Sequence, residues 1–514
     1  MELKKLVMAM AVTGASVALT ACGGSDDDNN DNDSAFVTCN EETKVCTLEG
    51  TMTENYTLTK DYEYRLSGLL QVGEGNVDLA DAAEMQAVKN AGVTLTIEPG
   101  VHVKANSDGV LLVTRGSKLI ADGKKSDNTI DPITFSSRQD DDFDGLGEWG
   151  GVVIQGFAPH YGAGNTGFCG GDVAVTADVV CNVEGEGGDF IGNFGGGDKA
   201  DNSGVIRYVR IAEAGKVAGP NNEINGLTLQ GVGHGTTVEY VQVHGNQDDG
   251  IEWFGGTVNV KYAVLTNNDD DAIDFDEGYM GNIQYAIVLQ NQADDARPVG
   301  SNDPRGIEAN SSDEDYVPQT AATLANISVI NGPISGAARD ENGDYIWVDE
   351  DGNVVASTDP EADYLGAEPG VRFRGSVNVD FINSVVATTD HNKGCIRIDS
   401  SDHDEDSNTA KIATPVNLVN VMASNCGLSD EFPKDDTTKD SVTATGLVSE
   451  VADFDTAWAL TNTAATVTAP TIEATDNGSN FVFDQTTYIG AVEPGTPAAS
   501  AWYAGWIIPG SLDD

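Results

Sequence analysis

A repeat of about 22 residues near the middle of the chain limits what it can fold into. Val238-Glu239-Tyr240-Val241 runs on to Asn246, Asp248, Asp249, Ile251, Glu252 and Trp253. Starting 22 residues later, Val260-Lys261-Tyr262-Ala263 runs on to Asn268, Asp270, Asp271, Ile273, Asp274 and Phe275. A third copy begins 23 residues further at Ile283-Gln284-Tyr285-Ala286, reaches Asn291, and has Asp294 and Asp295 close to register. Each copy is an apolar run of period two closed by an Asn/Asp-rich turn, the pattern of a strand and its bend. Such a unit cannot bury its own apolar face, so the copies must stack and share one core.

The period is too short for a strand plus a packed helix, and no 3.6-residue pattern interrupts it. Each unit is therefore one coil of β backbone, and stacked coils place equivalent residues about 4.8 Å apart. The expected fold is all-β: a single-stranded right-handed parallel β-helix, a solenoid with loop insertions and terminal caps. Its hand follows the general rule for parallel crossovers. Tyr208, Tyr240, Tyr262 and Tyr285 should form one file, and the aspartate pairs another.

Charge narrows the partners. Lys plus Arg number 27 against 83 Asp plus Glu, a formal charge of −56, and a field of that sign repels phosphates and anionic head groups. Nucleic acid is excluded as a natural partner, while cations and salty surroundings suit the chain. The ends add a compartment. Lys4 and Lys5 precede an apolar stretch from Leu6 to Leu19 that is too short to span a bilayer and reads as an export signal over 1–21. Leu19-Thr20-Ala21-Cys22 resembles the lipobox of bacterial lipoproteins, which implies lipid attachment at Cys22. Gly23 after it implies sorting to the outer membrane. Residues 22–35 then form an acidic tether with nothing to bury.

Six cysteines remain in three close pairs: Cys39 with Cys46, Cys169 with Cys181, and Cys395 with Cys426. An even number in an exported chain points to disulfides, and proximity favours the local pairing; none of the pairs has the CxxC spacing of a zinc site. The expected layout is an N-terminal cap over 36–92, with a short helical stretch Ala80 to Ala91, then coils over 93–428. Insertions interrupt the coils at 159–200 and 337–370. An irregular segment over 429–514 should follow, with its aromatic end through Trp506 capping the last coil.

Several stretches carry a resemblance. Thr96-Ile97-Glu98-Pro99-Gly100-Val101, Arg115 to Ala121, Trp149-Gly150-Gly151-Val152, Asn225 to Thr236, Tyr488-Ile489-Gly490-Ala491 and Trp502 to Trp506 resemble bacterial surface lipoproteins and secreted proteins with a pectate-lyase-like β-helix. That resemblance implies the fold and a cell-surface location, and carries no settled activity.

The acidic file is the first candidate for chemistry: Asp248, Asp249 and Glu252, then Asp270, Asp271 and Asp274, then Asp294 with Asp295. Unit charges about 4 Å apart repel by about 1 kcal/mol even in water, so stacked carboxylates attract a cation. Ca2+, which takes six to eight oxygens at flexible angles, fits them. Against this, Asn and Asp also serve simply to make bends facing solvent. Asp140, Asp142, Asp144 and Gly145 match the opening of an EF-hand-type calcium loop, but Gly151 stands where that loop needs a bidentate glutamate.

Enzymes of this fold set a comparison. Polygalacturonase-like hydrolases order an Asp pair, Gly-His-Gly and Arg-Ile-Lys, whereas here Gly233-His234-Gly235 precedes Asp248-Asp249 and only Ile396-Arg397-Ile398 follows. No catalytic set is therefore assigned. The expected function is a cell-surface outer-membrane lipoprotein acting as a calcium-stabilised binding or structural module, its insertions meeting a glycan or surface protein. The alternative is a polysaccharide lyase or glycoside hydrolase working in a lateral groove.

Overall fold

The computed structural model describes residues 35–139, 141–161, 169, 176, 179–185, 187, 191–216, 224–290, 305–311, 316–331, 346–348, 354–356, 363–364, 370–375, 377–388, 395–398, 416–424 and 442–512. One 26-stranded sheet winds through it. All its pairings are parallel except that of Val37–Asn40 with Val45–Met52. Period-two apolar runs fold this way because each coil offers one apolar edge to a shared interior, and the next coil satisfies its backbone groups.

Three ladders run along the solenoid. The first stacks Leu227–Gln230, Ile251–Phe254, Ile273–Asp276, Ile307–Ala309, Val371–Phe373 and Ile396–Ile398. Its inward residues include Ile251 under Ile273 under Ile307, and Trp253 beside Phe275, all essentially buried. The second and third ladders are two halves of one bent run, as in Thr237–His244, Val260–Thr266 and Met280–Leu289. The expected right-handed parallel β-helix is the fold of this chain.

The bend between those halves has its own rule. Tyr208, Tyr240, Tyr262 and Tyr285 occupy it in successive coils with φ of 52°, 54°, 65° and 63°, and Asn326, Asn383 and Asn420 follow at 56°, 49° and 53°. One left-handed residue per coil turns the strand outward and breaks its alternation, as a bulge does. The tyrosine rings stack along the helix axis with centroids 4.4, 4.3 and 5.1 Å apart and interplanar angles of 15° or less. The expected file is present.

Two boundaries differ from expectation. The parallel ladders start before residue 93: Val45–Met52 pairs with Glu63–Val72, which pairs in turn with His102–Ala105 and Val110–Val113. The segment read as a cap thus already contains coil, because its alternation at 45–72 is interrupted by the helix and loop that follow. The helix is Ala82–Ala91, capped by the Asp81 carboxylate, which accepts from the N–H groups of Ala83 and Glu84.

The aromatic C-terminal end does not cap the last coil. It runs back along the flank, with Gly490 N–H donating to Asn383 O, Trp502 against Tyr262, and Trp506 edge-on to Tyr208 and Tyr240. Arg210 Nε and Nη2 donate to the carbonyls of Trp506 and Ile507 at 2.5 and 3.0 Å, fixing the far end of this strap. The tyrosine rings offer apolar surface, and the strap's Trp502 and Trp506 pack on it.

Both expected interruptions depart from the main sheet. Val180–Glu184 pairs antiparallel with Asn193–Gly196, and Trp347–Val348 with Asp363–Tyr364. Cys39 is bonded to Cys46 and Cys169 to Cys181. Cys395 is also in a disulfide, while Cys426 and Cys22 lie outside the described residues.

Candidate metal centre

The first ladder carries the acids on its outer face. The outward residue of each strand, read coil by coil, is Thr228, Glu252, Asp274, Glu308, Arg372 and Arg397. A second column lies three residues ahead of it, at the turn into each strand: Asn225, Asp249, Asp271 and Arg305. Two coils therefore present two carboxylates each, bounded below by an amide and above by a guanidinium.

The boundary groups are engaged. Asn225 Nδ2 donates to Glu252 Oε2. Arg305, only 1% exposed, donates from Nη1 to Glu308 Oε2 at 2.8 Å and lies 3.7 Å from Asp271 Oδ2. Arg374 Nε and Arg372 Nη1 stand 2.9 and 3.4 Å from Glu308 Oε1. Within the turn column, each aspartate uses one oxygen structurally. Asp249 Oδ1 accepts from Asp271 N–H at 2.9 Å, and Asp271 Oδ1 accepts from Arg305 N–H at 2.6 Å. The bend-forming role of Asp is thus real; it leaves the second oxygen of Asp249 for other work, while that of Asp271 faces Arg305.

Among the described residues, three carboxylate groups have oxygens within 4.8 Å of one another: Asp248 with Asp249 and Asp270, Asp249 with Glu252 and Asp274, and Asp271 with Asp274 and Glu308. The third already holds Arg305 as its cation. In the second, Asp274 Oδ1 is buried without a hydrogen-bond partner. Burial, then the charges of Glu252, Asp274, Asp248 and Asp270, push the Asp249 carboxyl well above the usual range. Asp271 and Asp274 are raised too, by burial and then Glu308, with Arg305 and Arg374 respectively pulling them back. Carboxylates in this position must take up a proton or a cation.

Ca2+ fits this donor set. Oxygens bound to one Ca2+ at about 2.3–2.6 Å lie within about 5 Å of each other, the spacing seen here, and irregular directions are tolerated. Zn2+ is a poorer match to an all-oxygen set on two stacked turns.

Spacing places a third acidic pair at Asp294 and Asp295, whereas the strand register carries the file to Glu308. Asp274 stacks on Glu308 and Asp271 on Arg305, because Leu289 to Ile307 spans 18 residues where Thr266 to Ile273 spans 7. Asp294 and Asp295 lie outside the described residues. A signal for the true positions existed: Asn225-Gly-Leu-Thr, Asp249-Gly-Ile-Glu, Asp271-Ala-Ile-Asp and Arg305-Gly-Ile-Glu share one frame. That frame also contains Asn225, Arg305 and Glu308, which aspartate spacing alone does not reveal.

Among the described residues, Asp142 and Asp144 of the EF-hand-like loop belong to none of these three groups. Asp140 lies outside the described residues, and Asp141 is paired with Lys104 at 2.5 Å. Asp142 and Asp144 line a separate cavity of about 350 Å3 with His244, Asp269 and Ser511. Nor do the hydrolase-like motifs assemble, since His234 packs on Gly478 and donates its N–H to Thr257 Oγ1. Arg397 instead falls in the outward column beyond Arg372.

A long parallel β-helix defines the class. The chain belongs to the family described as the pectate-lyase like beta helix domain, whose model matches residues 50–507. No curated protein and no solved structure matches the chain.

Proposed function

We propose that this protein is a lipid-anchored module of the outer membrane, displayed at the cell surface, whose β-helix is stiffened by bound Ca2+ and serves to bind a glycan or a surface protein. The observation that carries the calcium reading is the carboxylate set Asp249, Glu252, Asp271 and Asp274 on two adjacent coils, with one Asp274 oxygen sealed off and without a partner. The lipobox-like Leu19 to Cys22 and the acidic residues after it support the anchor. A β-helix offers a long rigid face at a surface, and insertions on a repeating scaffold are where partners commonly bind.

The test is calorimetric titration of the purified chain with Ca2+, run beside thermal melts in Ca2+ and in chelator. Binding and a higher melting temperature are expected, with both lost in the Asp249→Asn, Asp274→Asn double variant. Identical melts in Ca2+ and chelator would remove the metal from the proposal.

One observation favours a second reading, a polysaccharide lyase. The outward column changes sign between Glu308 and Arg372, so a cation at Asp274 would sit two coils from Arg372, with Arg305 on the coil between. A carboxylate-bearing sugar held by Ca2+ next to an arginine is the setting such an elimination needs. Appearance of unsaturated sugar product from a polyuronate, abolished by Asp274→Asn, would promote it over the binding module.

A further inference from the structure

A second cluster of metal-ligating side chains lies where the first insertion rejoins the solenoid. His160 is fully buried, and neither of its ring nitrogens has a hydrogen-bond partner. One of those nitrogens, Cys169 Sγ and Cys181 Sγ lie within 4.8 Å of one another, with both cysteines at most 2% exposed. The imidazole is locked in place. It stacks on Phe194 at 4.2 Å between centroids, and a Cβ on Gly255 would collide with its Cβ. Gly195 leaves room beside Nε2, since a Cβ there would lie 2.2 Å from Nε2 and 3.2 Å from Cys181 Cβ. Nε2 therefore faces the sulfur pair. On the other side, Nδ1 lies 3.4 Å from Glu277 Oε2, which is also buried and without a hydrogen-bond partner.

Leaving a buried donor or acceptor unmet costs about 1–3 kcal/mol. Three such atoms at one locus, on His160 and Glu277, call for a ligand. A carboxylate behind one imidazole nitrogen, with the other nitrogen turned to soft donors, is the arrangement in which a histidine ligates a metal: the carboxylate fixes the tautomer and raises the basicity of the ligating nitrogen.

We propose that Cys169 and Cys181, in their reduced form, make with His160 Nε2 a site for a thiophilic divalent metal of the Zn2+ type, oriented by Glu277. The disulfide and the metal-bound dithiol are two states of the same locus. Conversion balances with a dithiol as reductant: it delivers two electrons and two protons to the disulfide and becomes a disulfide itself. The two new thiols release those protons when their thiolates bind the metal. Tetrahedral Zn2+ would hold its donors about 3.7 Å apart, within the span already present, so the sulfurs need only part from bonding distance. Three protein donors leave the fourth position for water or another ligand.

Co2+ tests this, because thiolate–Co2+ charge transfer in the near ultraviolet does not arise from the oxygen-lined carboxylate file. The full chain is reduced under native conditions with a dithiol, freed of reductant without oxygen, and titrated with Co2+, then with Zn2+ to displace it. Expected are one equivalent of Co2+ showing thiolate bands, no bands before reduction, and none in the Cys169→Ser, Cys181→Ser double variant, which controls for the other cysteines. His160→Asn should lose the tetrahedral visible bands, and Glu277→Gln should weaken Zn2+ affinity by about 10–100-fold. The proposal is overturned if the folded chain cannot be reduced at Cys169 and Cys181, if the double variant keeps the bands, or if His160→Asn binds Co2+ as wild type does.

Discussion

Tyr240 and Tyr262, one coil apart, lie face to face with their ring centroids 4.3 Å apart and their planes within 11°. Both sit at positive φ, 54° and 65°, so the ring stack and the outward turn of the backbone are made by the same residues. Later coils keep the turn and change the side chain to Asn326, Asn383 and Asn420. Two of those amides hydrogen-bond along the strap, Asn326 to Gly490 O and Tyr488 O and Asn383 to Thr486, while Asn420 donates to Asn383 Oδ1.

That substitution pattern makes a prediction about backbone rather than ring. Tyr240→Asn should lose the stacking, about 0.5–1.5 kcal/mol per aromatic pair, yet keep the turn. Tyr240→Val should cost about 1–2 kcal/mol more, because a β-branched residue resists the left-handed region. Denaturant melts of the two variants compare them directly; equal stability would show that the turn imposes no backbone selection.

Calcium should stabilise the chain by mass action, by about 2.7 kcal/mol at a hundredfold excess over the dissociation constant. Asp274→Asn should make the chelated protein more stable, by about 1 kcal/mol for each repulsive contact removed, while reducing the gain from Ca2+. Melts of wild type and variant, each with and without Ca2+, give both numbers.

Arg305 acts as the internal cation of the third carboxylate group, facing Asp271 and Glu308. Arg305→Met should destabilise by about 3–5 kcal/mol in chelator, the range for breaking a buried pair. Added Ca2+ should restore part of that loss, since the group left behind has the composition of the second group, two aspartates and one glutamate. Chemical denaturation in Ca2+ and in chelator measures the recovery.

Acid should weaken the fold through His244. Burial lowers its pKa from 6.5 to about 4, while Nδ1 pairs with Thr266 Oγ1 at 2.6 Å. Between pH 6.5 and 4 the unfolded chain binds a proton there that the folded chain refuses, so stability falls as pH drops, by about 3 kcal/mol across the window. Asp201 works the other way: burial raises it from 3.8 to about 6, so its contribution is lost as pH rises through 6. His244→Gln should therefore gain on wild type as pH is lowered from 7 to 4, a comparison in which the Asp201 term cancels. A constant difference across that range would rule out the buried neutral imidazole.

The fold was legible because a solenoid repeats its physics. Val260 under Ile283, Tyr240 beside Tyr262, and Asp249 beneath Asp271 follow from spacing alone: stacking forces like on like, and one period read correctly places every residue within the regular coils. The acidic file was legible for the same reason, as far as the period held. At the third copy, 11 extra residues between Leu289 and Ile307 shift the frame, and only hydrogen-bonded register shows that Arg305 and Glu308 continue the file.

What tertiary structure decided are the relations between segments far apart in the chain, which no local period encodes. Trp506 could serve equally as an end cap or as a flank strap by composition; the apolar tyrosine file and the Arg210 donors select the flank. His160 carries no motif with Cys169, Cys181 and Glu277, and their meeting depends on how an irregular insertion returns to the coil. Sequence by itself determined the repeating backbone, because burial and β-pairing act between neighbours one period apart. Structure alone decided where the interruptions come back, because that depends on which surfaces the finished solenoid leaves uncovered.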